Sequence, residues 1–285
     1  MTTAPSDLLQ LAKPRITALV LFTTASGLWL APYGVPLRTV IFTLVGTVLI
    51  VAAANTLNMY LERDSDALMS RTMNRPLPAG RLAPSVALKF GILLAAISVP
   101  LLTFGVGALP GLLAAIALVS YVLLYTPMKR QSAVALLVGA LPGAIPPLIG
   151  WTAATERLDL PGVLLFAVMF LWQVPHFLAI TLFRKEEYAR AGLMVQPNEP
   201  GGERAARMNI VRYTVALVAV SLLFVPIGTA HLAYLAAALL AGLVFLGYGL
   251  MGLREDSGPR WARNLFLLSL IYLPVLFGAL MMDRG

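Results

Sequence analysis

Long apolar segments separated by short polar connections run through the whole sequence. A helix needs roughly 20 predominantly apolar residues to cross the hydrocarbon core of a bilayer. Nine segments approach or exceed that length, and the first and fourth are short: residues 16–32, 39–60, 86–106, 109–125, 133–153, 160–183, 211–229, 231–253 and 262–282. The pattern therefore predicts an all-α integral membrane protein, a bundle of nine transmembrane helices in which residues 1–285 form a single domain.

The composition agrees with a membrane protein and excludes an ordinary soluble globule. Hydrophobic residues make up 59% of the chain and charged residues 12%, whereas about 25% of the residues in a typical soluble domain are charged. Because the sequence contains no cysteine, disulfides, thiolate metal ligands and thiol nucleophiles are excluded as well.

The distribution of basic residues predicts how the chain is oriented. If the N-terminus lies in the cytoplasm, 18 of the 21 Lys and Arg residues fall on the cytoplasmic side, and only Arg38, Arg157 and Arg284 fall opposite. Cytoplasmic loops of membrane proteins carry such an excess. We therefore expect an odd number of spans in a bacterial plasma membrane, with the N-terminus inside. The net charge of +8 then reflects topology and contact with anionic lipid, and no nucleic-acid partner is expected.

Several polar residues end the second apolar segment on one predicted helix face. Asn58, Glu62 and Asp66 are spaced four residues apart and would lie above one another on a helix. Polar groups beside hydrocarbon are costly unless they serve a site, and oxygen ligands of this kind suit a divalent cation such as Mg²⁺. Asp64 would lie about 200–240° round the helix from Asn58, so a salt bridge with a loop arginine is as plausible there as metal binding.

Basic residues follow that face closely and recur after the fourth apolar segment. Arg71 and Arg75 lie in the connection after Asp66, and Lys129 and Arg130 form a Lys-Arg turn further along. Such residues suit the oxygens of a polyphosphate. Two plainer interpretations stay open: the acidic residues solvate a helix end, and the Lys-Arg turn is an ordinary anchor on the positive side of the membrane.

A second group of chemically active residues ends the sixth apolar segment. Trp172, Gln173 and His176 fall within one helical turn, so an aromatic ring, an amide and an imidazole would share one side. His176 either lines a site or is a hydrogen-bonded histidine packed between helices. The connection that follows contains Glu186 and Glu187.

The two longest polar connections follow the second and sixth apolar segments, on the same predicted side. They hold seven of the 13 carboxylates. A channel would more often place polar residues along its whole bore. This asymmetry therefore predicts a central cavity that opens toward the cytoplasmic side.

These motifs, in this order, resemble those of the protoheme IX farnesyltransferases (heme O synthases), a branch of the intramembrane aromatic prenyltransferase superfamily. The Asn-x3-Asp-x3-Asp pattern is typical of the superfamily, and the Trp-Gln-x-Pro-His-Phe segment and the Lys-Arg turn are typical of the heme branch. The resemblance covers nearly the whole chain and is carried by residues 13–16, 58–69, 71–77, 125–130, 146–151, 172–177 and 188–192.

The chain departs from the family pattern at a few positions. Glu62 stands where aspartate is usual, and Glu186 and Glu187 replace an expected pair of aspartates. A glutamate can still ligate Mg²⁺ with one extra methylene group. Ala135 stands where an asparagine is expected, and alanine cannot supply an amide.

The resemblance implies that farnesyl diphosphate donates its prenyl group to a vinyl side chain of heme B, which yields heme O. An allylic diphosphate ionises when its departing charge is neutralised, as Mg²⁺ and arginines can do. The implied partners are the two substrates and the lipid bilayer, with a downstream heme A synthase or terminal oxidase assembly factors after them. The implied residues are Asn58, Glu62, Asp66 and Arg75 for catalysis; Asn58, Glu62, Asp66, Glu186 and Glu187 for the metal; Arg71, Arg75, Lys129, Arg130 and Tyr188 for the diphosphate; and Trp172, Gln173, His176 and Phe177 for the heme.

Two alternative functions stay open at this point. A prenyltransferase for a quinone precursor or a chlorophyll-type acceptor would share the first acidic motif, but it would have no reason to place His176 beside Trp172 and Gln173. A secondary transporter for an anionic substrate would place its functional polar residues at the bilayer midplane, whereas here they gather at the predicted cytoplasmic ends.

Overall fold

The computed structural model describes residues 4–32, 34–254 and 256–284. Within these ranges the chain forms helices and turns without a β-strand, and Ala230 and Arg284 form an isolated antiparallel bridge. The chain divides into two compact units. The first comprises Met1–Arg157 with Arg190–Leu193, and the second comprises Leu158–Ala189 with Met194–Gly285.

The described residues of the first unit form seven α-helices and one π-helical turn. Helix α3 packs along α4, and α2 packs along α7. The α2–α7 contact is close because Gly27 and Gly150 face the opposite backbone, where an added Cβ would clash with the carbonyl oxygens of Pro147 and Thr24. The elements are α1 (Pro5–Leu11), α2 (Pro14–Leu30), α3 (Leu37–Asp66), α4 (Pro84–Gly105), α5 (Ala108–Val119), the π-helix (Ser120–Tyr125), α6 (Thr126–Met128) and α7 (Ala135–Thr155).

The second unit is a bundle of four long helices with two short connecting ones. Helix α8 packs against α10 and α12, and α11 packs against the same two helices. The elements are α8 (Leu160–Phe183), α9 (Lys185–Arg190), a 3₁₀ turn (Gln196–Asn198), α10 (Gly202–Leu222), α11 (Leu232–Met251) and α12 (Pro259–Met282).

The predicted multi-pass helical membrane class is confirmed. Among the described residues, eight helices are long and apolar enough to cross a bilayer: Leu37–Asp66, Pro84–Gly105, Ala108–Met128, Ala135–Thr155, Leu160–Phe183, Gly202–Leu222, Leu232–Met251 and Pro259–Met282. The first predicted span corresponds to α2, which has 17 residues and is roughly 25 Å long, short of a hydrocarbon core of roughly 30 Å. The count of nine spans and the cytoplasmic opening of a central cavity therefore stay predictions.

One predicted span differs clearly from the observed helix. The apolar pattern predicts the seventh span at residues 211–229, whereas α10 runs from Gly202 to Leu222. Its first turns expose Arg204 and bury Ala206 and Ile210, so the helix begins as an amphipathic one in a stretch that hydropathy alone assigns to a loop. It ends where a series of turns begins, which includes Gly228 at a φ of +76°.

Candidate functional site

The polar face at the end of α3 forms as the sequence predicts. The helix continues to Asp66, which is 1% exposed, and on the same face Asn58 is 2% and Glu62 9% exposed. The side chain of Asp64 is 76% exposed and lies 3.7 Å from Arg63. Asp64 therefore points away from the buried face, and its salt bridge is with the neighbouring helical arginine rather than with a loop arginine.

Each buried carboxylate on this face forms an ion pair with a cationic side chain. Lys129 Nζ lies 2.8 Å from Glu62 Oε1, and an Arg75 guanidinium nitrogen lies 2.6 Å from Asp66 Oδ2. Because an unpaired buried charge is costly, these two pairs balance the charge of the face. We call Asn58, Glu62, Asp66, Arg75 and Lys129 the polar cluster.

The π-helical turn places the chain around Lys129 against α3. Asn58 Nδ2 donates to Thr126 Oγ1 at 3.0 Å, and that hydroxyl donates to the carbonyl oxygen of Tyr121 at 2.8 Å. Lys129 Nζ lies 4.3 Å from the centroid of the Tyr125 ring, a cation–π contact. Single π-helical turns inside α-helices occur frequently at functional sites. The roles of Thr126, Tyr121 and Tyr125 were not predicted, because nothing in the local sequence marks a π-helix.

Lys13 joins the same surroundings from the N-terminal side. Its backbone is left-handed, with a φ of 48°, in the turn between α1 and α2. Burial, together with the positive charges of Arg75 and Lys129, lowers the pKa of its amine to about 7, although Glu62 and Asp66 partly oppose this shift. Lys13 belongs to one of the segments that carry the family resemblance, yet the sequence alone assigned it no role.

Electrostatics keep Lys129 charged in this position. Burial by itself would lower the pKa of its amine, but Tyr125 and the carboxylate of Glu62 raise it by more, so the net shift is upward. The other two predicted phosphate ligands of this unit, Arg71 and Arg130, are exposed.

The donor set of the polar cluster fits a hard divalent cation. Two carboxylates and an amide share one face, and because Asn58 Nδ2 is used by Thr126, the amide oxygen is the atom left to ligate a metal. Over the described ranges, no three Asp, Glu or His side chains come together as a preformed metal site. Each carboxylate is instead bonded to a cationic side chain.

The predicted acceptor residues form an aromatic cluster in the second unit. The rings of Trp172 and His176 stack at 4.7 Å between centroids, and Phe266 of α12 lies 5.0 Å from His176. His176 Nδ1 is 2.7 Å from Ser269 Oγ, and Trp172 Nε1 donates to the carbonyl oxygen of Ser269 at 2.9 Å. Phe177 packs edge-on to His176 at 5.4 Å. The contact with a neighbouring helix, which the sequence left open as the alternative for His176, is therefore present.

Other predicted residues of this unit lie nearby along the chain. Gln173 is buried and donates to the carbonyl oxygen of Met169 at 3.1 Å. In α9, Glu187 Oε1 accepts from Arg184 at 2.7 Å, Glu186 is exposed and Tyr188 is half-buried. No observation on this unit tests their assignment to a metal or a diphosphate, and those roles stay predictions.

Comparison with known proteins relates the chain to one enzyme family. The sequence matches the UbiA prenyltransferase family over residues 20–271. It is similar to the protoheme IX farnesyltransferase of Sorangium cellulosum, with 58% identity over 247 residues, 87% of this chain and 88% of that protein. It is also similar to the protoheme IX farnesyltransferase of Myxococcus xanthus, with 53% identity over 284 residues, 100% of this chain and 96% of that protein.

Solved structures share the fold at much lower identity. A digeranylgeranylglyceryl phosphate synthase structure superposes with a TM-score of 0.84 at 16% identity, covering 98% of this chain and 97% of that one. A UbiA homologue from Archaeoglobus fulgidus, solved bound to GPP and Mg²⁺, has a TM-score of 0.67 at 16% identity, covering 96% of this chain and 99% of that one.

Proposed function

Since the chain belongs to the UbiA prenyltransferase family, within the branch of the protoheme IX farnesyltransferases, we propose that this prenyltransferase transfers the farnesyl group of farnesyl diphosphate to a vinyl group of heme B and so forms heme O. The observation that carries the proposal is the polar cluster, where two buried carboxylates on one helix face are each held by a cationic side chain. These are the two kinds of group that a metal-bound diphosphate requires.

The polar cluster would bind the metal and the diphosphate of the donor in place of its two internal ion pairs. Asn58, Glu62 and Asp66 would hold Mg²⁺, and Lys129 and Arg75 would contact the diphosphate oxygens. Mg²⁺, when bound, supplies positive charge that neutralises the departing diphosphate. Support comes from the close contacts themselves, 2.8 Å for Lys129 with Glu62 and 2.6 Å for Arg75 with Asp66, and from the A. fulgidus homologue, which was solved with GPP and Mg²⁺.

Further basic and acidic residues extend this proposal. Lys13 lies in the same electrostatic surroundings. A bound diphosphate would favour its protonated form, and Lys13 would then help to balance the diphosphate charge. Arg71, Arg130 and Tyr188 would contribute to diphosphate binding as well. Glu186 and Glu187 would bind a second metal ion or orient the first. The allylic cation must be kept from water until the vinyl carbon attacks. The new cation on the former vinyl group then adds one water molecule and releases a proton, which leaves a hydroxyl group.

The aromatic cluster would bind the acceptor. Trp172, Gln173, His176 and Phe177 would contact heme B, which needs a large apolar slot with aromatic sides. Ser269 holds Nδ1 of His176, so Nε2 is the ring nitrogen that would face the heme. Iron-ligating histidines commonly have their other ring nitrogen held in this way.

The setting of the reaction is also part of the proposal. The chain would lie in a bacterial plasma membrane with a cytoplasmic N-terminus and nine spans, as the distribution of Lys and Arg indicates. We expect residues 1–285 to work as one prenyltransferase domain, because the family match includes residues of both compact units. A downstream heme A synthase or terminal oxidase assembly factors would take up the product.

The product of a defined reaction tests this function. Purified protein in nanodiscs would be incubated with heme B, farnesyl diphosphate and Mg²⁺, and the extracted hemes analysed by mass spectrometry. We expect heme B to gain one farnesyl group and one hydroxyl group, with the water proton released, and we expect EDTA to stop the reaction. Unmodified heme B in the presence of folded protein that binds both substrates would contradict the proposal. A Soret band in the protein as purified would support heme as the acceptor.

A further inference from the structure

One ion pair, between the buried Asp7 and the exposed Arg81, joins helix α1 to the turn between α3 and α4. Arg81 Nε donates to Asp7 Oδ1 at 3.0 Å, and another guanidinium nitrogen donates to Gln10 Oε1 at 3.3 Å. Asp7 is 6% exposed, so its carboxylate depends on this arginine. None of these three residues belongs to the polar cluster or to the segments that carry the family resemblance.

The same guanidinium group reaches the main chain beside Arg75. A third N–H of Arg81 donates to the carbonyl oxygen of Asn74 at 3.0 Å, one residue before Arg75. From the other side, the backbone N–H of Arg75 donates to the carbonyl oxygen of Thr72 at 2.9 Å, and Thr72 Oγ1 donates to the carbonyl oxygen of Asp66 at 2.7 Å. The main chain that carries Arg75 is therefore held by Thr72 on the α3 side and by Arg81 on the α1 side.

Apolar packing joins α1 to the same turn. Leu11 of α1 is fully buried in a cluster with Met59 of α3, Leu77 and Leu82 of the turn, and Ala87 of α4. The turn thus lies between α1 and the ends of α3 and α4. Because these side chains are closely packed, a shift of α1 would displace the turn as well.

Helix α1 also determines where Lys13 lies. The helix is capped at Ala12, whose carbonyl oxygen accepts a hydrogen bond from Thr17 Oγ1 at 2.8 Å. Lys13 then adopts the left-handed backbone conformation, with φ 48° and ψ 69°. A non-glycine residue keeps that conformation only where the surrounding structure holds it, so the contacts of α1 and α2 hold the backbone at Lys13.

We propose that α1 is a clasp for the donor site, in which Asp7 and Arg81 are positioning residues that hold Arg75 against Asp66. This inference rests on the proposed function, because diphosphate binding is the step that the clasp serves. Neither positioning residue touches a substrate. Loosening the clasp weakens binding of the diphosphate and leaves binding of the acceptor unchanged, since the acceptor residues belong to a different part of the chain.

Steady-state kinetics separate this positioning role from a general loss of structure. We expect Asp7→Ala to raise KM for farnesyl diphosphate about tenfold, because a displaced Arg75 would lose the equivalent of one charged hydrogen bond to the diphosphate. The kcat and the KM for heme B are expected to stay within about twofold. Asp7→Asn keeps an oxygen acceptor for Arg81 Nε and should restore most of the donor affinity. Asp64→Ala is the matched control, because it removes an exposed carboxylate whose arginine contact is 3.7 Å long.

A binding measurement that needs no turnover makes the test independent of the reaction. The probe is farnesyl thiodiphosphate, an unreactive sulfur analogue, titrated with Mg²⁺ into detergent-solubilised protein by calorimetry. We expect Kd to weaken about tenfold in Asp7→Ala and also in Arg81→Lys, which keeps the charge but cannot reach both Asp7 and Asn74. If Asp7→Ala does not fold, the Kd values of Arg81→Lys and Asp7→Asn for the same probe provide the test.

The outcomes distinguish the clasp from the proposed function. An unchanged Kd in folded Arg81→Lys and Asp7→Ala overturns the clasp, even if the wild-type protein converts heme B. A weakened Kd with no conversion of heme B by the wild-type protein supports the clasp and overturns the proposed acceptor chemistry.

Discussion

Replacement of Gly139 by alanine should disturb the donor site without altering any of its charged residues. Gly139 lies in α7, and a Cβ added there would be 2.5 Å from Cε2 of the Tyr125 ring. Carbon atoms in contact are ordinarily about 3.5 Å apart, so the ring must move by about 1 Å. The Tyr125 ring centroid is 4.3 Å from Lys129 Nζ, which is itself 2.8 Å from Glu62. The displacement would therefore reach a buried ion pair of the polar cluster.

The expected loss follows from the size of this displacement. Overpacking a well-packed interior costs about 1–3 kcal/mol, and misplacing a catalytic group by about 1 Å can cost roughly 100-fold in rate. We expect kcat/KM for farnesyl diphosphate to fall at least about tenfold, or about 1.4 kcal/mol in transition-state stabilisation. Initial rates of heme product formation, measured in detergent at several donor concentrations, give this value.

Gly247→Ala is the matched control for this substitution. Gly247 lies within α11, and an added Cβ there has no atom within 4 Å. Both substitutions gain about 1 kcal/mol of helix propensity, so a comparison of the two isolates the clash with Tyr125. If Gly139→Ala keeps the kcat/KM of Gly247→Ala, the coupling from α7 to Lys129 is refuted.

Three further predictions concern the metal, the topology and the acceptor. Asp66→Ala should abolish turnover while the protein level stays normal, whereas Asp64→Ala should keep its turnover. If Asp66→Ala kept more than about a tenth of the wild-type rate, the activation free energy would have risen by less than roughly 1.4 kcal/mol, and the metal role of Asp66 would be ruled out. A single cysteine at position 157 should react with an impermeant thiol reagent on intact cells and one at position 187 should not; the reverse pattern would overturn the cytoplasmic N-terminus. His176→Ala should weaken heme binding measured from the Soret band and leave donor affinity nearly intact; unchanged heme affinity in a folded variant would remove His176 from the acceptor site.

The local part of the candidate site could be predicted from the sequence. Asn58, Glu62 and Asp66 share a buried face because helical periodicity determines which residues lie above one another, and the helix continues to Asp66. The same rule placed Asp64 away from that face, where it is exposed. Apolar length alone likewise predicted most of the long helices.

The contacts that complete the site could not be predicted in the same way. Lys129 is 67 residues from Glu62, and Ser269 is 93 residues from His176, so each pair depends on how helices pack and not on local pattern. The π-helical turn before Thr126 leaves no mark in hydropathy. The start of α10 was misplaced for a different reason, because its first turns are amphipathic and a hydropathy average treats them as a loop.

A competition between two acceptors tests the central claim most directly. Wild-type protein would be incubated with Mg²⁺ and with farnesyl diphosphate that is isotopically labelled at its first carbon. Heme B and 4-hydroxybenzoate, a quinone-type acceptor, would both be present. The labelled products would be separated and their masses measured by mass spectrometry. We predict that the label appears in a heme that carries one farnesyl group and one added hydroxyl group. Label recovered in prenylated 4-hydroxybenzoate, with heme B unchanged, would contradict the account.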